Sequence, residues 1–194
     1  MKLNFKFKPF NMYKRVLESA KTFEKFIIYP DPLLPKEIIN RMDESLLKSI
    51  NEGKERYDIF SYNKDKLVML PTERLEQINI IATRDRDGIY CNFEEEQKLH
   101  QSLKNEGLSI IVHHTHVFND LPSIEDLTYP RKLDFVDMSV ISRPKSRLFI
   151  DVNKLKKISE DEIHSSLDTI LELASPHVFV GFIGPKIVFK RIKN

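Results

Sequence analysis

Three of the six histidines fall within four residues, in the run His113-His114-Thr115-His116. They close an apolar stretch, Leu108-Ser-Ile-Ile-Val112, whose β-branched residues predict a buried strand. Residues i and i+2 of a strand share a face about 6.5–7 Å apart. His114 and His116 can therefore aim both imidazoles at one point, while His113 turns to the opposite face. Ser123-x-x-Asp126 then opens a helix that can return a carboxylate to the two imidazoles. Two imidazoles and one carboxylate leave a fourth position open on a metal such as Zn2+, the pattern of a catalytic rather than a structural site. Each half also has a plainer reading. His-x-His can be a polar strand end, and Ser-x-x-Asp is an ordinary helix start with Ser123 as N-cap. Together, in this order and after an apolar strand, they favour His114, His116 and Asp126 as metal ligands. His113 is assigned to the core or to support of the ligands.

Composition narrows the function classes. The chain has 194 residues, 41% hydrophobic and 31% charged, with 13 Phe and 6 Tyr, enough to bury a core. No apolar run approaches a membrane span, and the N-terminus lacks the unbroken apolar stretch of a signal peptide. A lone cysteine, Cys91, precludes an internal disulfide and is expected to be a buried or partly buried small residue. These features predict a cytoplasmic protein with no membrane partner. The five glycines stand in neither dinucleotide-binding nor P-loop spacing, which disfavours both nucleotide folds. One cysteine likewise excludes zinc ribbons and zinc deaminases.

Net charge is +2, unevenly spread. Residues 1–15 and 186–194 carry nine basic residues and no acid; removing those nine from the 31 leaves an acidic excess of seven between them. Basic ends either protect edge strands from pairing or form a patch for nucleic acid.

Helices and strands are interspersed throughout, predicting a mixed α/β domain with a central mixed β-sheet flanked by helices. Residues 2–8 alternate as a strand, and Met12, Val16, Ala20 and Phe23 follow helical spacing. Phe26–Tyr29 reads as a short strand before a Pro-rich loop. Lys36–Asn51 is an amphipathic helix entered through Pro35 and stopped by Gly53. Strands are predicted at Glu55–Tyr62, Lys66–Leu70 and Gln77–Thr83, then a turn at 85–88. A polar helix over Phe93–Asn105 turns Leu99 and Leu103 inward. Strands at Met138–Ile141 and Arg147–Val152 pair around Pro144-Lys-Ser146. Ser159–Glu162 caps a helix burying Ile163, Leu167, Ile170, Leu171 and Ala174. Val178–Phe182 and Ile187–Ile192 form a terminal hairpin.

His114-Thr-His116 followed by Ser123-x-x-Asp126 resembles the JAMM motif of JAB/MPN-domain zinc metalloproteases, in which a distant Glu precedes H-[ST]-H and S-x-x-D. The RadC-like bacterial proteins carry a similar pattern. In that family the Glu lies at the start of a strand just after a long helix, and Glu55 occupies that place here. Glu73, Glu76 and Glu94 remain alternatives. The resemblance spans roughly residues 35–153, about 60% of the chain. It implies a JAB/MPN-like domain over 35–153 and does not account for residues 1–34, whose own pattern predicts a strand and helix extension packed on that domain. The C-terminal helix and hairpin over 154–194 belong to the same globular unit. The spacer of six residues between His116 and Ser123 is one shorter than the family's, and Val117 stands where Pro is usual.

The resemblance further implies that His114, His116 and Asp126 bind zinc, that Glu55 handles the proton of the attacking water, and that Ser123 helps hold the oxyanion. The reaction implied is hydrolysis of a peptide or isopeptide bond in a protein or peptide substrate, including removal of a ubiquitin-like tail. An inactive JAB/MPN-like scaffold and a RadC-like nucleic-acid-associated protein are the alternatives. A two-histidine phosphoesterase would need His113-His-Thr115 and His164-Ser-Ser166 to meet on strands, yet His164 falls in a capped helix. His100 sits on a polar helix and His177 beside a helix-stopping Pro.

Overall fold

Side-chain alternation along the strand that ends in the histidines divides the molecule into two packed faces. The computed structural model describes residues 9–84, 88–118, 121–172, 178–183 and 186–191. Its elements in chain order are α1 (Pro9–Glu24), α2 (Lys36–Glu52), β1 (Tyr57–Tyr62), β2 (Leu67–Leu70), α3 (Thr72–Gln77), β3 (Ile81–Arg84), β4 (Ile89–Cys91) and α4 (Phe93–Asn105). They continue as β5 (Ser109–Thr115), α5 (Ile124–Lys132), β6 (Met138–Arg143), β7 (Ser146–Asp151), α6 (Val152–Leu155), α7 (Glu160–Leu171), β8 (Val178–Ile183) and β9 (Lys186–Arg191).

Five strands form a mixed sheet in the order β2-β1-β5-β6-β7. Neighbours are antiparallel except β5 and β6, which run parallel and are joined through α5. That single crossover places α5 over the carboxyl end of β5. Phe60, Ile111, Val140 and Phe149 pack from one face against Ile38 and Met42 of α2. Tyr57, Ile59, Ile110 and Val112 pack from the other against Leu103 of α4. Farther along that face, Ile141, Leu148 and Ile150 meet Phe23 of α1 and Ile163, Leu167 and Ile170 of α7. Alternation along β5 therefore sends His113 and Thr115 toward α2 and His114 toward α4 and α5.

The mixed α/β class with a central mixed sheet and flanking helices is as predicted. Helix α2 ends where expected, with Gly53 at φ 64° in the left-handed region and its N–H on the Ser49 carbonyl. Helix α4 spans Phe93–Asn105, the predicted bounds. Several expectations fail for local reasons. The strand expected over Gln77–Thr83 shrinks to Ile81–Arg84, because Pro71 leads into the short helix α3. The strand expected at Phe26–Tyr29 reduces to one bridge between Ile27 and Ile150, since Phe26 is committed to the core beside Phe23. Leu171 is exposed rather than inward. Helix α6, capped by the Asp151 carboxylate on the Lys154 N–H at 3.0 Å, was not anticipated. The strand expected over 2–8 and the burial of Ala174 lie outside the described residues. No helix among the described residues is long and apolar enough to cross a membrane.

Candidate metal centre

The register of β5 fixes the first candidate ligand and its backbone neighbours fix the second. His114 lies opposite Tyr57 of β1 and Ile141 of β6. Beyond it the chain stays extended, because Thr115 N–H donates to the Arg56 carbonyl at 3.0 Å and His116 N–H to the Ser142 carbonyl at 2.8 Å. The two imidazoles consequently share a face, with ring centroids 5.0 Å apart and Nε2 atoms 3.1 Å apart.

Asp126 arrives from the first turn of α5. Its Oδ1 lies 2.9 Å from His114 Nε2 and its Oδ2 lies 3.1 Å from His116 Nε2. Burial pushes this carboxyl up, but the charge and hydrogen bonds of the two imidazoles outweigh it and hold the group well below the ordinary carboxylate range. The same carboxylate completes a capping box: Ser123 N–H donates to Oδ2 at 2.6 Å, and Ser123 Oγ accepts from Asp126 N–H at 3.1 Å. The capping and ligand readings of Ser123-x-x-Asp126 are thus compatible, because the cap aims the carboxylate.

Donor atoms of His114, His116 and Asp126 all lie within 4.8 Å of one another. Ligands about 2.0–2.1 Å from a tetrahedral zinc stand about 3.3 Å apart, so these contacts need to widen by only a few tenths of an ångström. Nitrogen and carboxylate donors also suit zinc chemically. The residues fit a metal ion.

The three ligands open onto a cleft of about 640 Å³ lined also by Glu55, Ser123, Tyr57, Val112 and Tyr129. Glu55 precedes β1, and extending the β1–β5 register places it opposite His116 on the same face. Glu73, Glu76 and Glu94 do not line this cleft. Glu73 and Glu52 pair with Arg56, Glu76 lies 3.4 Å from Arg84, and Glu94 is exposed in the first turn of α4. Ser123 lines the cleft as an acceptor, which leaves its own O–H proton able to turn outward.

Behind the ligands, on the α2 face, His113 is fully buried. Its Nδ1 is 3.0 Å from Asp58 Oδ2 and its Nε2 is 2.9 Å from Ser142 Oγ. Asp58 also accepts from Ser45 Oγ at 2.7 Å, and from Thr72 N–H at 3.2 Å and Oγ1 at 3.0 Å. A carboxylate only accepts, so Nδ1 carries the proton and Nε2 accepts from Ser142. Burial holds His113 below its ordinary value, which keeps it neutral. This Ser–His–Asp chain is enclosed, so it braces β1, β5 and β6 under the ligands rather than meeting a substrate. His113 was placed in the core by its strand parity, but its partners, 55 and 29 positions away, were not legible.

A second buried carboxylate was also missed. Glu96 of α4 is fully enclosed and accepts from the Tyr57 and Tyr129 hydroxyls, the latter at 2.5 Å. His100 Nε2 lies 3.5 Å from Glu96 Oε1 and is buried too, so its place on a largely polar helix is nonetheless on the inward side. The inward stripe is Glu96, His100 and Leu103, and that i, i+4, i+7 spacing was the available signal. The Cys91 thiol lines the cleft, and burial pushes its pKa up.

Burial raises Glu96 from 4.5 to about 7, against the two phenol bonds that lower it. The folded state therefore holds this proton more tightly than the unfolded chain. Its contribution to stability is complete below pH 4.5 and is lost as pH rises through 7. Wild type should lose about 3 kcal/mol relative to Glu96→Gln between pH 4.5 and 8, measured by urea unfolding. Parallel stability profiles would contradict this.

His164 is exposed on α7 while His113 faces away from the cleft, so the two-histidine phosphoesterase arrangement is not assembled. The basic N-terminal residues 1–8 lie outside the described residues. Compared with models of protein families and with curated proteins, the sequence matches none.

Proposed function

We propose that this chain is a zinc-dependent hydrolase of JAB/MPN type, cleaving a peptide or isopeptide bond. The observation that carries the reading is the convergence of His114, His116 and Asp126 on a cleft that Glu55 and Ser123 also line. The two imidazoles and the Asp126 carboxylate would hold the metal. Zinc, when bound, supplies a Lewis acid for the substrate carbonyl and brings the pKa of water to about 7. Glu55 accepts the proton of the attacking water at its carboxylate and passes it to the departing amine. The Ser123 hydroxyl, with its lone pair engaged by Asp126 N–H, donates to the oxyanion.

The cleft walls contributed by Ile89, Tyr90 and Val112 suit the chain flanking the scissile bond. Strand β4 lines the same cleft and pairs on one side only with β3 among the described residues, which leaves an edge for an extended peptide. A protein carrying a ubiquitin-like tail is one such substrate.

The test is incubation of zinc-loaded protein with peptide substrates and isopeptide-linked conjugates, beside Asp126→Ala. Cleavage that requires zinc and disappears in the variant is expected. Zinc retention without hydrolysis of any of them would contradict the assignment and favour an inactive scaffold.

A further inference from the structure

The ligands of the centre come from two separate bodies. His114 and His116 ride on the end of β5, and Asp126 rides on α5. Whatever fixes the distance between strand and helix also fixes the ligand geometry. Hydrophobic packing contributes, since Leu127 of α5 and Ile141 of β6 belong to one buried cluster. Apolar contacts, however, are non-directional and tolerate sliding.

Apart from the ligands' own contacts, a directional link spans the gap among the described residues. Glu96 Oε1 accepts from Tyr57, which stands directly opposite His114 across the β1–β5 pair. Glu96 Oε2 accepts from Tyr129, three residues and about 4.5 Å of helix beyond Asp126. Each oxygen thus serves one half of the centre. Phe93, also on α4, meets the Tyr129 ring edge-on at 6.4 Å. Around the carboxylate stand Tyr57 from β1, Cys91 from β4, His100 from α4 and Tyr129 from α5. Glu96 does not touch His114, His116 or Asp126 in any of these contacts.

We propose that Glu96 is a positioning residue that ties α5 to the β1–β5 strand pair and so sets the spacing of Asp126 from His114 and His116. This rests on those three residues holding a metal. A buried carboxylate is a poor choice where stability alone is at stake, because an apolar side chain of similar volume commonly does as well. Its two phenol hydrogen bonds, by contrast, fix direction as well as distance. Removing a hydrogen-bond partner of a metal ligand typically weakens the metal by about 10–100-fold, and a tie one contact farther out should act at the lower end of that range.

The experiment measures zinc affinity of the full chain by competition with a chromophoric chelator, and the visible spectrum of the cobalt(II)-loaded protein. The variants are Tyr57→Phe, Tyr129→Phe, their combination, and Glu96→Gln. Each phenylalanine variant deletes one hydroxyl and keeps the ring, and melting of the metal-free proteins is recorded alongside. Tyr129→Phe is expected to weaken zinc by about tenfold and to alter the cobalt bands. The double variant should fall short of the product of the single effects, because both hydroxyls act through one carboxylate. Affinities within twofold of wild type in both phenylalanine variants, whatever their melting temperatures, would overturn the proposal and leave Glu96 as a core residue. Absence of zinc binding by wild type would overturn the metal centre itself, a result plainly different from an unchanged affinity.

Discussion

Asp58→Ala should destabilise the protein by about 3–5 kcal/mol, because several enclosed donors lose their acceptor at about 1–3 kcal/mol each. The carboxylate receives His113 Nδ1–H, Ser45 O–H, and both the N–H and O–H of Thr72. Alanine would leave His113 Nδ1–H, Ser45 O–H and Thr72 N–H without this acceptor in an enclosed site, while the Thr72 hydroxyl keeps the Tyr57 carbonyl at 2.8 Å. Burial pushes Asp58 up, yet His113, Ser45 and Thr72 more than offset it and hold the group below its ordinary value. Its stabilisation is therefore complete above the ordinary carboxylate range near pH 3.9 and lost as pH falls through the lower folded value. The gap between wild type and Asp58→Ala should thus be wide at pH 7 and narrow below about pH 4. Urea unfolding across that range checks both magnitude and sign. A loss under 1 kcal/mol at pH 7 would mean the Ser–His–Asp chain does not brace the three strands.

Glu55→Gln is expected to lower the hydrolytic rate by about 100–10,000-fold, the contribution of a positioned general base. The amide is nearly isosteric and cannot accept the proton, so substrate binding should change little while turnover collapses. Glu55 is not among the three groups whose donor atoms converge, so zinc content should stay at the wild-type level. Steady-state kinetics with parallel metal analysis separates the two effects. Retention of more than about a tenth of the rate would transfer the proton role to another group. Among the upstream glutamates weighed from the sequence, Glu55 alone faces the ligand cleft, whereas Glu73 is held by Arg56.

The convergence of two histidines and one aspartate was legible because its determinants are local. Strand parity placed His114 and His116 on one face and His113 on the other, and one helical turn placed Asp126 at its cap. Helices α2 and α4 were equally legible, since Pro35 and Gly53 bound the first and a polar face with Gly107 bounds the second. What failed depended on distant partners. Glu96 sits among Glu94 and Glu95 in an acidic first turn that reads as solvated, and only the approach of Tyr57 and Tyr129 encloses it. Asp58 and Ser142 likewise look like ordinary polar strand residues until β1, β5 and β6 are laid side by side. Helix α3 was obscured because Leu75, Ile78 and Ile80 fit either period over so short a run.

The centre itself is most directly tested by elemental analysis of untagged protein reconstituted with zinc, beside His114→Ala and Asp126→Ala. A metal centre built from these residues requires about one zinc per chain in wild type and loss of it in both variants. No zinc in the wild-type protein, or zinc retained undiminished in both variants, would contradict it.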